Sequence, residues 1–194
     1  ITDQFEPGST YKIVSTVSAI HNSIINLNDE FNCENGSFEY HTKKITDHES
    51  YSMLTPSQII YHSSNIGIIK MMEQVGKKKL FSVSRDFGFG SKTGINLNGE
   101  VAGKLNHYNE WSAVSLGMIA MGHEVGVTAI QLASAYCALA NGGYLLKPRI
   151  VRQIMDESKK IIYSEEPVVI RKIANETTVK SIREMLRGVI TKGT

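Results

Sequence analysis

The chain of 194 residues has two cysteines, one tryptophan, little net charge and no long apolar run. Cys33 and Cys137 stand 104 positions apart, without the paired spacing of a disulfide framework or a zinc ribbon. Cys137 falls in an Ala-rich helical stretch and is expected to be a small core residue. The six histidines show no His-x-x-x-His spacing, and there is no Cys-x-x-Cys, so no metal site is arguable. No cofactor is implied either. A net charge of +2 points to no polyanionic partner, nucleic acid included. Lys43-Lys44 and Lys77-Lys78-Lys79 read as solvated faces. There is no 18-residue apolar span, no signal peptide, no internal repeat and no low-complexity tract. What is present is a globular composition, 41% hydrophobic and 21% charged, suited to one domain or part of a larger one.

The most informative segment is Glu6-Pro7-Gly8-Ser9-Thr10-Tyr11-Lys12. Pro7 and Gly8 punctuate the chain, and Ile13, Val14, Val17 and Ile20 follow with helical spacing. Ser9 is therefore expected in the first turn of a helix, with Lys12 one turn on and on the same face. A serine is a poor nucleophile unless a base lies within hydrogen-bond reach. A lysine desolvated against an apolar wall loses its proton more readily and can be that base. A helix N-terminus also favours the forming alkoxide. The pattern suits acyl transfer. Ser-x-x-Lys is weak alone, since 19 Ser and 15 Lys produce about 1.5 such pairs by chance. A capping serine followed by a surface lysine has the same spelling.

A second element 54 positions on raises the weight of the first. Thr55-Pro56-Ser57-Gln58 spells an N-cap, a proline at the first helical position and a capping-box glutamine. That helix is expected to end near His62, and another to run from about Ile66 to Val75 with Gly76 as its stop. Ser63-Ser64-Asn65 then forms a tight turn whose short polar side chains, Ser63 and Asn65, can point into a cleft. Ordinary turn chemistry would use the same residues.

Around both elements the wording resembles the transpeptidase domain of class B penicillin-binding proteins. Glu6 to Lys12 is similar to the family's nucleophile segment, and Ser63-Ser64-Asn65-Ile66-Gly67 to its second motif. Phe87-Gly88-Phe89-Gly90, Thr93-Gly94-Ile95 and Gly99-Glu100 resemble the Gly-rich stretch that follows. Gly126 to Ala133, then Tyr136, Ala140, Asn141, Gly142, Gly143 and Pro148, resemble a later long helix and turn. The Ser-Ser-Asn-Ile-Gly and Gly-His-Glu-Val-Gly-Val-Thr wording looks more like the division-specific, septal enzymes than the elongation ones.

The resemblance implies a peptidoglycan D,D-transpeptidase, with stem peptides and β-lactams as ligands. It implies Ser9 as nucleophile, Lys12 as base, Ser63 as proton relay, and Asn65 as the group that orients the substrate amide and steadies Lys12. It further implies a parent anchored in the cytoplasmic membrane, catalytic domain outside, working with cell-wall or division partners. A serine β-lactamase or β-lactam sensor uses the same Ser-x-x-Lys chemistry, and a non-catalytic interaction module is a third reading.

Lys92-Thr93-Gly94 spells the family's third motif but sits in turn-rich sequence only 29 residues after Ser63. In the family that triplet lies on a strand after the last long helix, here Glu176 to Ile190. The active copy is therefore expected beyond Thr194. With no initiating Met or membrane anchor, residues 1–194 read as a partial transpeptidase domain cut at both ends. The expected fold class is α+β, predominantly helical: the helical part of the penicillin-binding protein/β-lactamase-like fold, with one or two β-hairpins and most of the central antiparallel sheet missing. Ile13, Val14 and Val17 would then be exposed or covered by a second copy, and self-association is expected.

Other expected elements are local. The Ser9 helix should end near Asn22, and Asn35-Gly36 should turn a hairpin between Glu30–Cys33 and Ser37–Tyr40. A helix is expected at about Lys78 to Phe87, then a helix or extended apolar run from Trp111 up to Met121. A capped helix should run from Thr128 to Asn141. A hairpin should follow, from Arg149 to Met155 and Lys160 to Ser164.

Overall fold

The computed structural model describes residues 1–21 and 23–193. A 3-10 turn, Gly8–Tyr11, runs into helix α1, Lys12–Ile20. The expected end near Asn22 lies outside the described residues. Every residue of α1 from Lys12 to Ala19 is buried, because α2 (Pro56–Tyr61), α3 (Asn65–Val75), α4 (Lys77–Asp86) and α7 (Glu176–Lys192) surround it. Helices α5 (Ser115–Ala120) and α6 (Ala129–Ala140) complete the helical body.

The helix ends follow their local chemistry. Thr55 and Thr128 each accept a bond from the backbone N–H three residues on, and Gln58 and Gln131 Oε1 each accept one from the cap's own N–H; each box is worth about 1 kcal/mol. Gly76 takes φ +81° and closes α3, a backbone that costs a side-chain residue more. Asn141 closes α6.

The strands are short and pair two by two. β1 (Phe31–Asn32) pairs with β4 (Met53–Leu54), and β2 (Ser37–Tyr40) with β3 (Lys43–Thr46). β5 (Tyr144–Leu146) pairs with β8 (Val169–Lys172), and β6 (Gln153–Met155) with β7 (Ile161–Ser164). All four pairs are antiparallel, and no sheet among the described residues exceeds two strands. The fold is thus the mainly helical α+β arrangement, with hairpins at β2–β3 and β6–β7.

Three expectations are corrected. The hairpin does not turn at Asn35-Gly36. That dipeptide does adopt left-handed φ values, +52° and +88°, but it closes a 3-10 turn leading straight into β2, while β1 crosses to β4. Ile13, Val14 and Val17 are not left open: they are 3%, 1% and 0% exposed, because the four surrounding helices cover that face within one chain. The argument for self-association from that face therefore falls. Cys137 is exposed while Cys33 is buried, because Ala138 and Leu139, not Cys137, turn to the core.

The open apolar surface lies elsewhere. Ile190 on α7 is 88% exposed, and Ile154, Met155, Ile161, Ile162 and Tyr163 are all exposed on the β6–β7 hairpin. No helix among the described residues is long and apolar enough to cross a membrane.

Candidate active site

Ser9 stands on the 3-10 turn, exposed at the rim of a cleft of about 260 Å³. Lys12 and Ser63 line the same cleft, with Tyr61, Tyr136, Leu186 and Val189. Lys12 is only 2% exposed. Its ammonium donates to Ser63 O, to Ser63 Oγ at 3.1 Å and to Asn65 Oδ1 at 2.8 Å, so its three N–H groups meet three acceptors. Asn65 Nδ2 donates to Thr46 O at 3.0 Å, which leaves Oδ1 for the amine and assigns the amide orientation. Burial lowers the Lys12 pKa from 10.5 to about 8, and the Asp47 carboxylate opposes that fall.

The structure thus brings Lys12, Ser63 and Asn65 into direct contact and puts Ser9 on the same cleft. It places the amine differently from the helical spacing. Lys12 Nζ reaches across to the Ser63–Asn65 turn, and Ser9 Oγ has no hydrogen-bond partner among the described residues. The reason is local: the 3-10 turn joins Ser9 to Lys12 by a backbone bond, Lys12 N–H to Ser9 O, while the facing turn offers three acceptors. Ser63 itself takes φ +51°, a left-handed backbone that costs a non-glycine residue about 1–2 kcal/mol.

Several groups that hold the Ser9 turn have no motif of their own. Gly8 N–H donates to Gly122 O at 3.0 Å. The two backbones approach so closely that a Cβ on Gly122 would lie 2.1 Å from Gly8 O. One Glu6 oxygen meets His123 Nδ1 at 2.9 Å, and the other accepts from Glu124 N–H at 2.9 Å; these contacts lower the Glu6 pKa. Tyr136 OH donates to Thr10 O at 2.9 Å, and Tyr11 OH to Ser84 Oγ at 2.6 Å. Glu6 and Gly122-His123 lie inside segments legible as motifs, but their pairing is a matter of tertiary contact.

Lys92-Thr93-Gly94 is engaged elsewhere. One Glu100 oxygen accepts from Thr93 N–H at 2.6 Å and Thr93 Oγ1 at 2.5 Å, and the other from Gly94 N–H at 3.1 Å. Lys92 and Thr93 line a different pocket, against Phe87 and Gln131. Gln131 ties down the same loop by donating to Ser91 O and Ala102 O, each at 2.8 Å.

The family profile described as penicillin binding protein transpeptidase domain matches residues 1–194. The chain belongs to the penicillin-binding protein transpeptidase family. It is 34% identical over 193 residues to stage V sporulation protein D of Bacillus subtilis, covering 98% of this chain and 30% of that protein. It is 27% identical to the peptidoglycan D,D-transpeptidase FtsI of Escherichia coli K12, covering 100% of this chain and 31% of FtsI. Among solved structures, the apo transpeptidase domain of Burkholderia pseudomallei penicillin-binding protein 3 superposes with a TM-score of 0.87 at 27% identity, over 98% of this chain and 55% of that one. Penicillin-binding protein 3 of Mycobacterium tuberculosis complexed with ampicillin also superposes at 0.87, with 26% identity, over 98% of this chain and 42% of that one. The chain spans about a third of the length of these sequence relatives.

Proposed function

We propose that these residues carry the nucleophile side of a class B peptidoglycan D,D-transpeptidase, as one partial domain over 1–194. The observation that carries the proposal is the buried Lys12 amine, hydrogen-bonded to Ser63 and Asn65 on the cleft that also presents Ser9. An amine with its pKa near 8 is free base often enough near neutrality to accept a proton.

In the acylation step Lys12 in its free-base form takes the Ser9 proton, and Ser9 Oγ bonds to the carbonyl carbon of the D-Ala-D-Ala amide. The C–N bond then breaks, and the departing D-Ala amine receives its proton from Ser63 Oγ, which Lys12 reprotonates. Asn65 orients the substrate amide while it steadies Lys12. The backbone N–H of Ser9 supplies one oxyanion donor, a contact worth a few kcal/mol. An amine from a second stem peptide resolves the acyl-enzyme and completes the cross-link. β-Lactams enter the same first step. The ampicillin complex of a structural neighbour supports that ligand class, and the relative named peptidoglycan D,D-transpeptidase FtsI supports the reaction; the septal assignment rests on the sequence wording. A membrane-anchored parent with its catalytic domain outside the cell, alongside cell-wall or division partners, accompanies this reading.

The test is labelling of the full-length protein with a fluorescent penicillin. Ser9→Ala is expected to abolish the covalent adduct, seen by gel fluorescence and mass spectrometry. An adduct of wild-type intensity would remove Ser9 from the role.

A further inference from the structure

We propose that Asp47 is a positioning residue for this reaction: its carboxylate fastens the Ser63–Asn65 turn and holds the Lys12 amine in its charged, three-bonded resting form. The inference rests on the function proposed above and adds a residue that no motif contains.

Asp47 directly follows β3, and its carboxylate takes three donors. Oδ2 accepts from Ser64 Oγ at 2.6 Å; Oδ1 accepts from Asn65 N–H at 2.5 Å and Ile66 N–H at 3.1 Å. The two amides open α3 and have no partner inside the helix, so an anion there satisfies them and meets the positive end of the helix. Ser64 is fully committed by the same contact, since its Oγ donates to Asp47 and accepts from Gly67 N–H at 2.8 Å. One residue earlier, Thr46 O holds the Asn65 side-chain amide. The end of β3 therefore fixes both the backbone and the side chain of Asn65, and Ser63 is left facing Lys12.

Asp47 also acts through its charge, which favours the ammonium form of a lysine otherwise destabilised by burial. The other charged or titratable groups around Lys12 are differently placed. His62 stacks on Tyr51, Glu34 is paired with Lys70 of α3, and Lys192 of α7 lies over the Tyr61 ring. Tyr61 and Tyr136 border the cleft. From α4, Ser84 engages the Tyr11 hydroxyl.

The experiment is the pH dependence of acylation of the full-length protein by a fluorescent penicillin, from about pH 5.5 to about pH 9.5. In the wild type the rate rises through the loss of the Lys12 proton. Asp47→Asn should lower the plateau about tenfold through a displaced turn. It should also move the midpoint of the rise about one pH unit lower, because the opposing charge is gone. A lower plateau with an unmoved midpoint would mean a purely structural tie and overturn the charge role; a midpoint moved upward would overturn it as well. His62→Gln should leave the midpoint in place, and a shift there would assign the rise to His62 instead. Should Asp47→Asn fail to fold, Asp47→Ser carries the same expectations. Failure of the underlying function shows separately, as labelling that survives Ser9→Ala.

Discussion

The helical body around α1 and the ribbon formed by β5 to β8 differ in how they treat their side chains. In the first, even polar groups are enclosed and partnered: Ser15 Oγ donates to Ala120 O at 3.0 Å and Thr16 Oγ1 to Lys12 O at 2.9 Å. In the second, apolar residues stand in solvent along whole strands, and β7 and β8 are exposed at every position. The helices are locked by packing and buried hydrogen bonds, where a missing partner costs 1–3 kcal/mol. The ribbon is held by two-strand ladders that bury little. Lys12, Ser63 and Asn65 belong to the first region and are tied to one another there, and substitutions should therefore separate the two regions by size of effect.

The largest effect is expected at the contact between the Ser9 turn and the turn after α5. Gly122→Ala must displace Gly8, so it should destabilise the protein by about 2–4 kcal/mol. It should also slow acylation by at least about tenfold through the shifted Ser9. Denaturant unfolding and penicillin labelling measure the two, and a stability within error of the wild type would show that the backbones can part freely.

An intermediate effect is expected from Lys12. Its folded pKa is near 8 and its ordinary value 10.5, so between those values the unfolded chain binds the extra proton. Stability should therefore rise with pH from about 8 to about 10.5, the penalty of burying the amine being complete below that window and gone above it. In Lys12→Met the rise should be missing relative to the wild type. A pH profile of urea midpoints for the two proteins checks the sign, and parallel curves would refute the lowered pKa.

The smallest effect is expected on the ribbon. Ile162 is 63% exposed, so Ile162→Thr should change stability by no more than about 0.5 kcal/mol and leave labelling unchanged. A larger loss of stability would show that the ribbon is packed in solution and narrow the contrast between the regions.

The same contrast explains what was legible beforehand. The starts of α2 and α6 are written in four-residue windows, Thr55 to Gln58 and Thr128 to Gln131, and each is where its capping box puts it. The stops at Gly76 and Asn141 are equally local. Pairings between distant short strands are not: β1 meets β4 some twenty residues on, and β5 meets β8 across the whole β6–β7 hairpin, with two to four residues each to announce them. Asn35-Gly36 shows the limit from the other side, since the dipeptide takes the backbone it favours but its neighbours choose another partner. At the site, Ser9, Lys12, Ser63 and Asn65 stand out by spacing and wording. Asp47 does not, and neither do the contacts of Glu6 and Tyr136, although both lie in motif-like segments, because each contact forms only when separate elements meet. The covering of Ile13, Val14 and Val17 was hidden for the same reason: four helices from two distant parts of the chain close over one face.

The backbone of Ser63 has a consequence for how such a protein can be improved. Glycine would adopt φ +51° without penalty, so a search for thermal robustness alone should drift toward glycine there and lose the hydroxyl that faces Lys12. On the proposed role of Ser63, activity and durability are expected to pull this one position in opposite directions.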